Sequence, residues 1–365
     1  MIVFLAPIFT EEILHKHPAT SPAASLWCSI FAQNLTNFKS VYCLSAVNSS
    51  MFPKGSLVIS GYDYSKPVPT KMVPYIGLPF FRNFLINRNI KKELDHLLSS
   101  TTIDYCITYN TIPKNIKAAE YMQKKGIPWV SIYADADTDR QLTSNADFHV
   151  YFSFDSYNRS IYKNKINFEG AIYRPVTDVF IENNNKIFLY TGVIRKENGV
   201  DLMLDAFKIL DNKDAILKIC GKGIYDGFLE KVNSDSRIKF YGLVDDKTLI
   251  TLYEEASFFI NPRLSTYEEN NNNFPSKLLD YLSFAKPIIT THTAGINPVY
   301  LDYMYVLNNE NENDLSELMD KMLFLNIDEK LELHIKIKKF ANETYSWKNR
   351  VMELWKWLEN GKCVK

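Results

Sequence analysis

The sequence predicts an α/β chain of two domains, each a doubly wound parallel sheet. Three observations carry that expectation. Short apolar runs alternate with segments of helical spacing along the whole chain. The 365 residues exceed the size at which a single core stops growing, and 46% apolar with 23% charged residues is an ordinary globular composition able to bury a sizeable core. Pro175 to Asn185, with its proline and three asparagines, reads as a linker. The expected division is residues 1–180, 181–345 and a tail, 346–365.

In the first half, strand candidates are Ile2 to Ala6, Ser40 to Ser45, Ser56 to Ser60, Ile103 to Thr108, Trp129 to Tyr133 and Phe148 to Phe152. Helices are expected near Ala23 to Leu35, Ile90 to Leu98 and Ile116 to Lys125. Met1 to Pro7 lacks a basic flank and runs into Glu11-Glu12, so it reads as the first strand rather than a secretory leader. No apolar run approaches the ~20 residues that span a bilayer. Cys28, Cys43, Cys106, Cys220 and Cys363 show no CxxC spacing and read as reduced cysteines of a cytoplasmic protein. The six histidines have no partners at zinc or triad spacing. The 42 basic and 42 acidic residues cancel, so no global field recruits nucleic acid. Residues 1–180 nevertheless hold 18 basic against 14 acidic residues, a bias suited to an anionic membrane surface.

In the second half, Ile187 to Thr191 is an apolar run ending in Gly192, and Asn198 to Phe207 has helical spacing. Ala215 to Cys220 enters a second glycine turn, Gly221-Lys222-Gly223. Ile238 to Val244, a helix around Leu249 to Ala256 and the strand Ser257 to Pro262 follow. Phe274 to Thr291 then reads as loop, helix start, amphipathic helix and buried strand. Pro275 suits the first turn, and Ser276 is placed to cap the free amides. Lys277, one step inside, suits a diphosphate, and Asp280, one turn on, can accept hydrogen bonds from ribose hydroxyls. An ordinary capped helix leading into a core strand is the competing reading. Asn270 to Asn273 is the one low-complexity stretch, read as a polar loop able to close over a donor sugar.

The ordered set Thr191-Gly192 with Asn198-Gly199-Val200-Asp201, Gly221-Lys222-Gly223, Phe240-Tyr241-Gly242, Tyr253 to Pro262, Phe274 to Thr291 and Tyr345-Ser346-Trp347 resembles the nucleotide-binding domain of glycosyltransferase family 4. These are the retaining transferases of GT-B fold, and the resemblance spans nearly half the chain. It implies two Rossmann-like domains facing a cleft, and transfer of a sugar from a nucleoside-diphosphate sugar to a hydroxyl held by the N-terminal domain. It implies no metal and no other cofactor. Gly192, Gly221, Gly223, Tyr241, Ser276 and Asp280 fall in its donor site, and its tail crosses back to the first domain. A glycan or lipid-linked acceptor and bacterial surface polysaccharide biosynthesis would follow.

Several positions depart from the family pattern. Of two glutamates eight positions apart, the second corresponds to Asp280 and the first falls on Asn272, with Glu268 and Glu269 a few residues earlier as replacements. The family's arginine and lysine fall on Val193 and Asn198, leaving Arg195 and Lys196 on the same loop to neutralise the leaving diphosphate. Its N-domain histidine falls on Ala134, beside Asp135. Asp135, Asp137 and Asp139 also admit a metal-dependent alternative, in which alternate carboxylates hold manganese, and a solvated acidic loop is a third reading. A non-catalytic nucleotide-sugar-binding or partner subunit remains the alternative from another class. Pro74 to Lys92 sets aromatic residues beside four cations, suiting either a membrane interface or a helix packed on the sheet.

Overall fold

The computed structural model describes residues 1–135, 145–176, 179–180 and 185–362. The chain forms two compact units, one of residues 1–152, 156–170 and 350–365, the other of residues 153–155 and 171–349.

The first unit holds β1 (Ile2–Leu5), β2 (Val41–Ser45), β3 (Val58–Ile59), β4 (Tyr62–Tyr64), β5 (Thr70–Met72), β6 (Tyr75–Ile76), β7 (Tyr105–Tyr109), β8 (Trp129–Tyr133), β9 (Phe148–Tyr151) and β10 (Lys165–Asn167). Eight of them form one sheet in the order β10-β9-β8-β7-β1-β2-β5-β4. All pairs are parallel except β4 with β5. β1, β7, β8 and β9 are buried along their whole length, which explains their near-continuous apolar sequences: helices cover both faces of a parallel sheet. The helix Pro22–Leu35 starts where Ser21 accepts from Ala24 N, with proline in the first turn, and turns Trp27, Phe31 and Leu35 inward.

Two expectations change here. Ser56 to Ser60 is not a strand of the main sheet; only β3 forms, paired antiparallel with β6. The helix expected from Ile90 runs over Phe81–Ser100. Its buried stripe is Ile86, Ile90, Leu94 and Leu97, so the exposed Phe81 and Phe84 of its first turn fall outside the apolar period.

The second unit holds β11 (Ile187–Thr191), β12 (Ile216–Cys220), β13 (Ile238–Gly242), β14 (Phe258–Asn261), β15 (Ile288–Thr291) and β16 (Tyr305–Leu307). Their order is β13-β12-β11-β14-β15-β16, all parallel. The chain begins mid-sheet, winds outward through β12 and β13, then returns to lay β14 against β11.

The boundary lies at residues 170/171 rather than near 180. Ile172 N donates to Tyr345 O at 2.9 Å and Val176 exchanges two hydrogen bonds with Asn342, so both residues join the second unit's core. The tail changes membership at Arg350 rather than at 346, because Trp347 packs 6.0 Å from Tyr173. Further along the helix Trp347–Lys362, Trp355 stacks on Phe38 at 5.7 Å, Trp357 meets Phe148 at 5.3 Å, and Tyr105 Oη donates to Leu358 O at 3.0 Å. Cys28, Cys43, Cys106 and Cys220 are buried and unbridged; Cys363 lies outside the described residues.

Candidate functional site

β11 and β14 are neighbours whose connections leave toward opposite edges of the sheet. The loops beyond their carboxyl ends therefore diverge, and such a switch point is where ligands bind in open α/β sheets. Gly192 follows β11, Arg263 follows β14 by two residues, and Lys277 opens the helix Lys277–Leu282. Gly192 has φ 135°, and a Cβ there would lie 3.1 Å from Lys277 Nζ. The missing side chain gives the ammonium room beside the turn. Lys277 Nζ sits 3.9 Å from the centroid of the Tyr190 ring.

Arg263 faces the same place with a buried Nε that has no hydrogen-bond partner. Burial, and then the Arg263 guanidinium, push Lys277 well below the ordinary ammonium range. Burial also lowers Arg263, opposed by Tyr190 and Glu269. Neither cation forms an ion pair among the described residues. Two like charges withdrawn from water without a counter-ion are costly, and an anion arriving between them relieves that cost.

Tyr281 fixes the geometry. Four residues beyond Lys277 on the same helix, its hydroxyl accepts from Thr191 N at 2.9 Å while its ring stacks on Phe259 at 4.6 Å. The helix is thereby tied to the end of β11. Tyr281→Phe leaves a buried amide without its acceptor and is expected to cost about 1–3 kcal/mol in urea unfolding.

The glycine turns form a ladder beyond the strand ends. Gly192 N donates to Cys220 O and Gly221 N to Gly242 O, both at 2.9 Å, and Gly223, with φ 92°, follows Lys222, whose carbonyl accepts from Ile194 N. Asp280 is half-buried, and burial pushes its carboxyl up to about 6 against the opposing Arg174.

Several expected residues stand elsewhere. Ser276 is helical (φ −53°, ψ −25°) and caps nothing with its side chain, because the turn closes earlier, with Leu278 N on Pro275 O. At six residues, the helix is too short to supply a dipole site of its own. Arg195 and Lys196 are exposed, and Lys196 lies 3.9 Å from Asp201, drawn away by the Asp201–Lys231 cluster. Tyr241 is exposed, with Lys218 Nζ 5.7 Å from its ring centroid.

The asparagine run is no open lid. Glu268–Asn272 is a short helix pinned by its own amides. Asn270 Nδ2 donates to Glu197 O and Leu264 O, Asn271 Nδ2 to Ser265 O, and Asn273 Nδ2 to Glu269 O. Asn272, on which the family's first glutamate is expected to fall, is buried and donates to Glu268 Oε1 at 3.2 Å. Glu269 is exposed, its charge felt by Arg263.

In the first unit, Asp135 lies beyond β8, where its Oδ2 accepts from Asn110 Nδ2 at 2.6 Å; Asn110 Oδ1 in turn accepts from Ala134 N at 2.8 Å. Asp137 and Asp139 lie outside the described residues. Among the described residues, no group of three or more His, Cys, Asp or Glu is placed to hold a metal ion. Sequence reasoning missed Arg263, Tyr190, Tyr281 and Arg174. The one available signal was that Arg263 closely follows an apolar strand.

The family model for glycosyl transferases group 1 matches residues 177–343. An uncharacterized glycosyltransferase of Methanocaldococcus jannaschii is 24% identical over 292 residues, 74% of this chain and 80% of that protein. An uncharacterized 41.2 kDa protein in the cps region of Klebsiella pneumoniae is 27% identical over 134 residues, 36% of this chain and 35% of that protein. Among solved structures, HepE of Anabaena in complex with UDP and glucose aligns with a TM-score of 0.64 at 12% identity, over 98% of this chain and 99% of that one.

Proposed function

We propose that this chain is a glycosyltransferase that moves a sugar, with retention, from a nucleoside-diphosphate sugar to a hydroxyl; its two parallel-sheet units have the GT-B fold of solved neighbours, and residues 177–343 match the family model for glycosyl transferases group 1. The acceptor is a glycan or lipid-linked glycan in bacterial surface polysaccharide assembly, met at the cytoplasmic face of the membrane. The unpaired Arg263/Lys277 couple at the β11/β14 switch point carries the reading. It offers the diphosphate two positive groups in a half-buried setting, where charge neutralisation of a leaving group counts most. The bond from the sugar's C1 to the phosphate oxygen breaks with its electron pair left on the diphosphate. The acceptor oxygen bonds C1, and its proton passes to the released phosphate.

With cationic side chains in that role, turnover is expected to survive chelation. Release of nucleoside diphosphate from a panel of nucleotide sugars, with and without EDTA, tests this. Loss restored by manganese would instead assign the chemistry to Asp135, Asp137 and Asp139. No turnover of any donor, in protein shown to bind nucleoside diphosphate, would favour the non-catalytic subunit.

Asp280 gives the reading a pH signature. The carboxylate is the form that accepts ribose hydroxyls, so nucleoside-diphosphate affinity is expected to fall as pH drops through about 6. Stability moves the other way. The folded-state value lies above the unfolded ~3.9, so the contribution is present at low pH and is lost as pH rises from about 4 through 6. Asp280→Asn should flatten both profiles, measured by calorimetric titration and urea unfolding across that range.

A further inference from the structure

The first unit exposes its large apolar side chains very unevenly. Among its described residues, nine of the eleven exposed large hydrophobic ones come from residues 51–84. Backbone pairing brings the two ends of that segment together: Phe52 N donates to Gly77 O at 2.9 Å, Gly77 N to Leu57 O at 2.8 Å, and β3 pairs with β6 so that Val58 and Ile76 both point outward over the buried Ile59 and Tyr75. Next to this ribbon, the first turn of the helix Phe81–Ser100 raises Phe80 at 95% exposure, Phe81 at 60% and Phe84 at 63%. A monomer in water rarely keeps such a contiguous apolar surface without using it.

Phe80 is held out against its own backbone preference. It has φ 66° and ψ −45°, the centre of a strained γ-turn in which Phe81 N donates to Pro79 O at 2.8 Å, and Arg82 N closes the next turn on Leu78 O. A bulky residue in that region persists only where its surroundings fix it. Here they fix an aromatic ring in solvent.

The charge around the surface selects the partner. Residues 51–92 contain seven cations and a single acid, Asp63. Lys71 is neutralised by Glu93 at 2.8 Å, and Arg82 is held by Asn48 and the Tyr75 ring. Lys54 lies on the exposed 51–58 loop, and Arg88, Lys91 and Lys92 continue the exposed side of the helix one to three turns behind the aromatic tip. Aromatic rings leading and cations following is the order met on entering a bilayer, where rings lodge at the headgroup boundary and ammonium groups meet lipid phosphates.

We propose that this face, with Phe80, Phe81 and Phe84 as its tip and the 51–58 loop beside them, docks the enzyme on an anionic lipid bilayer. The inference deepens the reading of a membrane-borne acceptor, but binding to lipid can be measured without donor or acceptor.

The test is co-sedimentation of the full chain with vesicles of phosphatidylcholine alone or mixed with phosphatidylglycerol, at low and high salt. The wild type should pellet with the mixed vesicles at low salt and less at high salt. Phe80→Ser/Phe81→Ser/Phe84→Ser should bind at least tenfold more weakly, and Arg88→Gln/Lys91→Gln/Lys92→Gln about a hundredfold more weakly on the anionic vesicles alone. Ile161→Ser, which removes another exposed apolar side chain of the same unit, should bind as the wild type does. All these positions are exposed, so unchanged thermal unfolding should accompany each result. Wild-type protein that stays in solution at both salts, or a serine variant that pellets as well as wild type, overturns the proposal. So does a concentration-dependent dimer abolished by the serine changes, which would give the surface to a second copy of the chain. Nucleotide-sugar hydrolysis in solution should be unaffected by the serine changes; its absence in wild type would count against the catalytic reading and leave the docking result standing.

Discussion

Lys277→Met is expected to weaken nucleoside-diphosphate binding by about 1.5–3 kcal/mol, roughly 10- to 150-fold, while making the ligand-free protein more stable. The two effects have one cause. In the folded protein burial and Arg263 disfavour the charged ammonium, so its value is depressed; the unfavourable contribution sets in as pH falls below the unfolded value of ~10.4 and is complete below the folded one. Methionine fills the same space beside Gly192 and Tyr190 without the charge. The melting temperature should rise by about 2–4 °C per kcal/mol recovered. Arg263→Met should behave alike. The double variant should lose less than the sum, because the two cations share one environment. Calorimetric titration and thermal unfolding of the three variants read both effects. Unchanged affinity would remove the pair from the site; loss of affinity together with stability would mean that the side chains hold the fold.

Gly221→Ala should cost the fold about 3–5 kcal/mol. Gly221 has φ 149°, and a Cβ built on it would lie 1.7 Å from Gly192 O and 2.7 Å from the carbonyl carbon. No rotamer relieves a clash with backbone, so one glycine turn must move off the other, breaking the ladder from Gly192 N to Cys220 O and from Gly221 N to Gly242 O. Strain of about 1–3 kcal/mol and overpacking of similar size add up against a total of about 5–15 kcal/mol. Gly126→Ala is the control. Its φ is 83° but nothing lies within 4 Å of the added Cβ, so it isolates the backbone contribution. Urea unfolding of both proteins separates clash from conformation; equal losses would show that the contact between the turns is dispensable.

The sheet of the second unit was legible because parallel strands covered on both faces must be apolar throughout, as Ile187–Thr191 and Phe258–Asn261 are. The glycine turns were legible for a related reason: positive φ at a strand end leaves few choices of residue. Arg263 was not, because its importance comes from β14 lying beside β11, and strand order is a long-range fact that local pattern does not contain. The surroundings of Arg195 and Lys196 were hidden for the same reason, since Asp201 and Lys231, which organise that corner, become neighbours only in the fold. Ser276 looked like a cap from its letter and position, yet its backbone is already helical. The start of the helix Phe81–Ser100 was lost because its first turn obeys solvent exposure rather than core periodicity.

The asparagine run also bears on how this chain tolerates change in length. Four identical letters hold four different sets of partners: Asn270 two carbonyls, Asn271 the Ser265 carbonyl and the Ala294 amide, Asn272 a glutamate and Asn273 a carbonyl one turn back. A repeated tract is where copying slips by one unit, and a protein reading it as spacer would absorb the slip. Here losing one asparagine shifts every remaining amide to its neighbour's place and draws Lys277 a residue's length toward Arg263. The monotony of the sequence conceals a fixed ruler between the two cations.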